Sequence, residues 1–243
     1  MKILALESSA VAASAALCED ERLIAQTFQH SGLTHSRTLL PMAAELLERC
    51  GTPLGEVDLI AVAAGPGSFT GLRIGVSTAK GLAWPEDKPC AGVSTLEAMA
   101  WSLVHTGLTI VPVMDARRGQ VYNALFDSDG EGLQRLSPDL AIGAEKLAEE
   151  LAALKKPMVL VGDGAQLCLP LFRGRGLPVR LAPPHLLMQS AWGVARGALE
   201  LARRGELTDA AGLVPEYHRL SQAERERLAR EQQEQGREGT PHE

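Results

Sequence analysis

Aromatic side chains are scarce in this 243-residue chain: three Trp, two Tyr and four Phe, 4% in all. Hydrophobic residues still make up 45%. The core must therefore be aliphatic, with backbones approaching closely instead of being held apart by rings. Cysteine is also sparse. Cys18, Cys50, Cys90 and Cys168 form no C-x-x-C pair, which argues against a zinc knot or a disulfide framework and fits a reducing cytoplasm. Basic residues never cluster beyond short pairs such as Arg117-Arg118 and Arg203-Arg204, and the net charge is −6. Tight, independent binding of RNA or DNA is not expected of such a surface. No apolar run approaches the roughly 20 residues that span a bilayer. The opening "MKILALESS" lacks the h-region and cleavage pattern of a signal peptide. A cytoplasmic protein without membrane contact is the expectation.

The histidines offer little as ligands. His30, His35, His105, His185, His218 and His242 contain no i, i+4 pair and no H-E-x-x-H, so a helical zinc site is unsupported. His35 beside Ser36 lacks a visible third group to orient it as a nucleophile's base.

The apolar pattern that is present reads as α/β. Ile3 to Leu6, Ala12 to Leu17 and "RLIAQTFQ" form a meander of three strands. "THSRTLLPMAAELLERCG" is the best helix, capped by Thr34 or Ser36 and closed by Gly51. Pro41 fits a first turn if the regular helix starts near residues 38–40. Leu39, Ala43, Leu46 and Cys50 line one side, with Leu40, Ala44 and Leu47 on an adjacent one. That apolar surface is wider than one packing stripe needs. "VDLIAVAAG" reads as a strand buried on both faces. A glycine turn follows it, then a helix, "GLRIGVSTAKGLAW". After a further strand and helix the layout restarts. "IVPVMDARRGQVYNALF" repeats "KILALESSAVAASAAL", and Glu7 and Asp115 stand at equivalent strand ends. An internal duplication is indicated. The second half holds a helix at residues 144–154, the strand and glycine turn of "PMVLVGDGA", and an alanine-rich helix near residues 188–204. Beyond Gln222 the chain is charged and nearly without apolar residues, the composition of a disordered tail.

The turn in "AVAAGPGSFTGLRIG" poses the functional question. It fails the P-loop pattern, because Lys80 lies well downstream with no matching glycine. It also fails G-x-G-x-x-G, because Thr70 stands at the third position. Two readings remain. Its backbone amides bind an anion at the helix start, or Gly65, Gly67, Gly71 and Gly75 only shape the turn and let the helix lie close to a neighbour. Glu7 and Asp115 divide the same way, between orienting a phosphate or metal-bound water at a cleft and bonding to turn amides.

Taken together, these segments resemble the bacterial TsaB (YeaZ) family. "AGPGSFTGLRIGVSTAKGLA" is similar to its most recognisable stretch, and "ILALESS", "THSRTLLPMAAELL", "MDARRGQVYNALF" and "VPEYHR" resemble its opening strand, first helix, second-lobe restart and C-terminal signature. The resemblance covers residues 1–222. It implies an actin/Hsp70-like ATPase superfamily fold with two ribonuclease-H-like lobes, the second reduced. The lobes would span residues 1–106 and 107–222, with the helix near 188–204 able to pack back on the first, and a tail at 223–243. It also implies a role in making N6-threonylcarbamoyladenosine at position 37 of tRNAs that read codons starting with A. In that role the chain would be a non-catalytic scaffold that heterodimerises with TsaD and recruits the ATPase TsaE. It would meet tRNA only through the complex and form a homodimer when alone. An actin-like ATPase or small-molecule kinase is the alternative, and a peptidase a weaker one.

The resemblance fixes further expectations. Where the catalytic relative carries an H-x-x-x-H metal motif, this chain has Thr95 and Met99. That pair suits hard metals poorly, so no tightly bound metal or cofactor is expected. Glu7, Ser8 and Asp115 are left as a vestigial nucleotide or phosphate site with weak binding at most. The partner interface is assigned to Leu39, Ala43, Leu46 and Leu47 on the first helix with Arg73, Val76, Ser77 and Lys80 on the second.

Overall fold

The structure is a computed structural model that describes residues 1–218. The charged tail expected at residues 223–243 and the last residue of "VPEYHR", Arg219, lie outside the described residues.

The chain opens with β1 (Lys2–Glu7), β2 (Ala13–Glu19) and β3 (Arg22–Gln29), then α1 (His35–Arg49), β4 (Leu59–Gly65), α2 (Phe69–Ala83), β5 (Cys90–Ser94) and α3 (Thr95–Trp101). The strands form one sheet in the order β3-β2-β1-β4-β5. The first three are an antiparallel meander, and β4 and β5 join in parallel. β1 and β4 run as unbroken buried stretches because helices cover both faces of their sheet.

The second half contains β6 (Thr109–Asp115), β7 (Gln120–Asn123), β8 (Phe126–Ser128), β9 (Leu133–Arg135), β10 (Leu140–Gly143), α4 (Ala144–Leu154), β11 (Met158–Val161), α5 (Ala165–Gly174), β12 (Val179–Leu181) and α6 (Ala191–Arg203). Its main path is β10-β7-β6-β11-β12, with the β8–β9 hairpin pairing onto β6. Each pairing repeats the first sheet in sense: β6–β7 and β7–β10 antiparallel, β6–β11 and β11–β12 parallel. The duplication is therefore real at the level of topology, two ribonuclease-H-type sheets in one α/β chain. This is the two-lobed arrangement that the family resemblance implies.

Three apolar clusters fill the described residues. One lies between α1, α2 and the first sheet and contains Leu4, Leu6, Leu17, Leu39, Ile60 and Val76. A second lies on the opposite face of that sheet, where Ala191, Val194, Ala195 and Ala198 of α6 meet Ile3, Ala16 and Ala61. The third is the second sheet's core, to which α3 contributes Leu96 and Met99. The last helix of each half thus packs across onto the other half's sheet. Small residues permit this: a Cβ at Gly193 of α6 would overlap the Ala98 carbonyl of α3.

α5, β9 and β10 have no counterpart in the sequence reading, and two helix starts also differ from it. α1 begins at His35, so Pro41 sits inside the helix instead of in its first turn. Proline there removes the bond to the Arg37 carbonyl, and the position survives because both residues are exposed to water. The alanine-rich helix starts later than expected, at Ala191, where Ser190 caps it through Trp192 N–H.

Candidate functional site

The glycine turn leaves β4 and launches α2, whose N-cap Ser68 accepts a bond from Gly71 N–H. Two other stretches of the chain close around this turn. The Ser8–Ser9 segment after β1 enters from one side: Ser68 N–H donates to the Ser9 carbonyl at 2.6 Å and the Ser8 hydroxyl donates to the Gly71 carbonyl at 2.9 Å. Residues 207–218 enter from the other as a strap, with Glu216 N–H donating to the Ala64 carbonyl at 2.7 Å. A Cβ at Gly65 would overlap the Glu216 carbonyl, and one at Gly71 the Ser8 carbonyl. Gly67 and Gly75 face Ser9 and the Ser8 hydroxyl in the same way. These four glycines admit the protein's own backbone. The neighbour that Gly75 admits is the chain after β1 and the first sheet, since it faces Ser8 and Val62.

The strap is pinned along α2. Tyr217 stacks on Phe69 with ring centroids 4.7 Å apart, and Arg73 lies over Phe69 and donates to the Tyr217 hydroxyl at 3.0 Å. Lys80 Nζ donates to the Ala211 carbonyl at 3.2 Å. Glu216 and Tyr217 therefore hold the start of α2 in place.

Deeper in, carboxylates at or just after the ends of β1, β6 and β11 come close enough to act on one another's charge. Glu7 ends β1 fully buried. Its Oε1 accepts from Ser9 N–H at 2.5 Å, and Oε2 has no hydrogen-bond partner among the described residues. Burial pushes the Glu7 carboxyl up to about 7; bonds from Ser9 oppose the rise and the charge of Asp163 adds to it. Asp163 follows β11 and is also raised, chiefly by burial, with Asp115 a further contributor. Gln189 Nε2 donates to it at 2.9 Å. Asp115, at the end of β6, accepts from Arg117 N–H at 2.7 Å and pairs with the Arg117 side chain at 3.5 Å. Glu7 and Asp115 are thus both tied to turn amides two residues on.

Asp163 was missed in the sequence, though the repeat holds the signal. β11 is the counterpart of β4, so "VGDGA" stands where "AAGPG" does. The closure is repeated as well: a Cβ at Gly162 would overlap the Val113 carbonyl of β6, to which Gly164 N–H also donates at 3.0 Å.

Thr95 and Met99 open α3 and lie buried in the protein. Met99 packs in the second core, with its sulfur beside Gly162. A hydroxyl and a thioether do not fit the metal that the histidine motif serves in the catalytic relative. Among the described residues no group of three or more His, Cys, Asp or Glu side chains is placed to hold a metal ion.

The α1–α2 surface corrects the interface assignment. Leu39, Ala43, Leu46 and Leu47 point inward and are core residues, as is Val76. Arg73 and Ser77 are exposed, while Lys80 is half-buried against the strap. The outward side of α1 is instead Leu40, 50% exposed, with Pro41, Ala44 and Glu45; Trp84, 64% exposed, stands at the far end of α2. The His35 ring is held against the Ala10 carbonyl at 2.7 Å and is not paired with Ser36.

The family model described as TsaD, tRNA N6-adenosine threonylcarbamoyltransferase, matches residues 29–170. The tRNA threonylcarbamoyladenosine biosynthesis protein TsaB of Bacillus subtilis is 34% identical over 92% of this chain and 96% of its own. The protein of the same description from Escherichia coli is 32% identical over 90% and 95%. Among solved structures, an uncharacterised Pseudomonas aeruginosa protein with similarity to peptidase YeaZ superposes with a TM-score of 0.76 at 27% identity, covering 90% of this chain and 99% of that one.

Proposed function

The chain belongs to the TsaB family, within the wider family that the TsaD model describes, and we propose that it serves tRNA threonylcarbamoyladenosine biosynthesis as a non-catalytic subunit. Its task is to bind and activate a TsaD-type transferase, with TsaE joining the assembly and tRNA contacted through the complex. The modified nucleoside is N6-threonylcarbamoyladenosine at position 37. The chain pairs with itself when the transferase is absent.

The observation that carries the non-catalytic reading is the filled glycine turn. A phosphate cradle needs free amides and open space at a helix start. Here Ser68 N–H is spent on Ser9, and the space at Gly65 and Gly71 is taken by Glu216 and Ser8. Thr95 and Met99 in place of imidazoles support the same reading. The partner face is the outward side of the neighbouring helices α1 and α2, where Leu40 and Ala44 of the first and Arg73 and Ser77 of the second are exposed. An uncovered apolar stripe between two helices suits a helical partner.

The test replaces Leu40 and Ala44 together by aspartate. Both are exposed, so folding should be unchanged while copurification with the transferase is lost. Cells depending on the variant should lose threonylcarbamoyladenosine from their tRNA. A variant that copurifies and complements normally removes this surface from the interface. ATP turnover by the isolated chain at roughly 1–10³ s⁻¹ would favour the ATPase or kinase alternative instead.

A further inference from the structure

The two faces of the first sheet are covered unequally. α1 and α2 cover one; α6 covers the other across β1, β2, β4 and β5 but only grazes β3. β3 is an edge strand, and no described strand pairs with its outer side. It therefore overhangs the helix that should cover it.

The register identifies what the overhang exposes. Leu23 pairs with Cys18, Gln26 with Ala16 and Phe28 with Ser14. Ala16 and Cys18 belong to the core under α6, so Leu23, Gln26 and Phe28 face that same side. Leu23 is 43% exposed and Phe28 48%. Beyond them lies a groove of about 940 Å³ between β3, the start of α6 at Trp192 and the residues around Leu186 and Met188. Gln26 Nε2 donates to Ser190 Oγ at 2.9 Å and fixes the groove's inner wall.

Three properties define the occupant. Edge strands are ordinarily blunted by lysine, proline, shortness or a bulge. β3 is eight residues long with neither lysine nor proline, and its one irregularity, at Ile24, leaves residues 25–29 regular. The wall runs from Leu23 to His30, roughly 23 Å of extended chain, which matches a strand and exceeds a compact small molecule. No Asp, Glu, Lys or Arg lines the groove, whose ionisable side chains are His30 and His185, so a charged side chain entering it finds neither a carboxylate nor an ammonium or guanidinium partner.

We propose that this groove is a docking site for an extended segment of another protein, about six residues long and uncharged at the inward positions, which adds as a strand to the free edge of β3. Main-chain bonds to the edge supply affinity, and alternate apolar side chains fill the groove beside Phe28 and Trp192. The site lies on the opposite face of the sheet from α1 and α2 and does not depend on the proposed transferase interface.

The probe is a fluorescein-labelled six-residue peptide of alternating valine and threonine, titrated with the full chain by anisotropy. Saturable binding is expected, weakened more than about tenfold by Phe28→Lys, the loss typical of a central anchor. Leu167→Lys, at an exposed position outside the groove, should bind as the native chain does. A peptide methylated on every amide nitrogen should not bind. Absence of saturable binding overturns the proposal, as does indifference to Phe28→Lys. Equal binding of the methylated peptide overturns strand addition. A dimer in sedimentation that Phe28→Lys dissociates assigns the edge to a second copy of this chain and likewise overturns it.

Discussion

Replacing Glu7 by glutamine should stabilise the chain at pH 8 and change little near pH 4. The carboxyl is buried and held up to about 7, against an ordinary value of 4.5. The folded state therefore keeps its proton through a range in which the unfolded chain has released it. With more protons bound when folded, stability declines as pH rises from 4.5 to 7 and is level beyond. At ~1.4 kcal/mol per pH unit the full displacement is worth about 3 kcal/mol. Glutamine keeps the acceptor that Ser9 N–H uses, and its amide replaces an oxygen that has no partner among the described residues. Scanning calorimetry of both proteins at pH 4, 6 and 8 reads the effect. A chain of this length should gain roughly 6–12 °C in Tm at pH 8. A native Tm that climbs between pH 5 and 7, or a Glu7→Gln protein that melts lower at pH 8, refutes the argument.

Two glycines of one helix should respond with opposite sign. Gly71→Ala must displace the Ser8 backbone and should cost about 1–3 kcal/mol; Gly81→Ala meets nothing within 4 Å and should gain up to about 1 kcal/mol from helix propensity. Equal Tm shifts in the two would remove the close-approach account of the turn. Tyr217→Ala should free the strap by removing a ring stack of roughly 1 kcal/mol and the bond from Arg73. Faster amide exchange at Glu216 is the readout, and an unchanged rate there would mean that Leu213 and Ala210, both buried, hold the segment alone.

The first-half strands, the repeat and the paired acids at Glu7 and Asp115 were legible because they follow from short-range pattern, whereas the short strands β9 and β10 carry too few residues to show one. What periodicity could not supply was direction. It found two apolar stripes on α1 but not which one the sheet would take; the sheet took Leu39, Ala43 and Leu46 and left Leu40 and Ala44 outside. The glycine turn stood between anion binding and turn-shaping because its neighbours, Ser8 and Glu216, are 63 and 145 positions away from Gly71 in the sequence. Asp163 was hidden by the shortness of β11, four residues against seven in β4.

The crossed packing of α3 and α6 has a consequence for how such a chain can be divided. Each half carries the helix that seals the other's sheet, so neither half is a self-sufficient fold. Cut near residue 107, the two fragments would expose apolar faces that only the opposite fragment can cover. The arrangement is that of a domain-swapped dimer whose two protomers have been joined end to end. Fusion makes the exchange intramolecular and hence independent of concentration, and it turns a symmetric pair into one molecule whose halves are free to diverge.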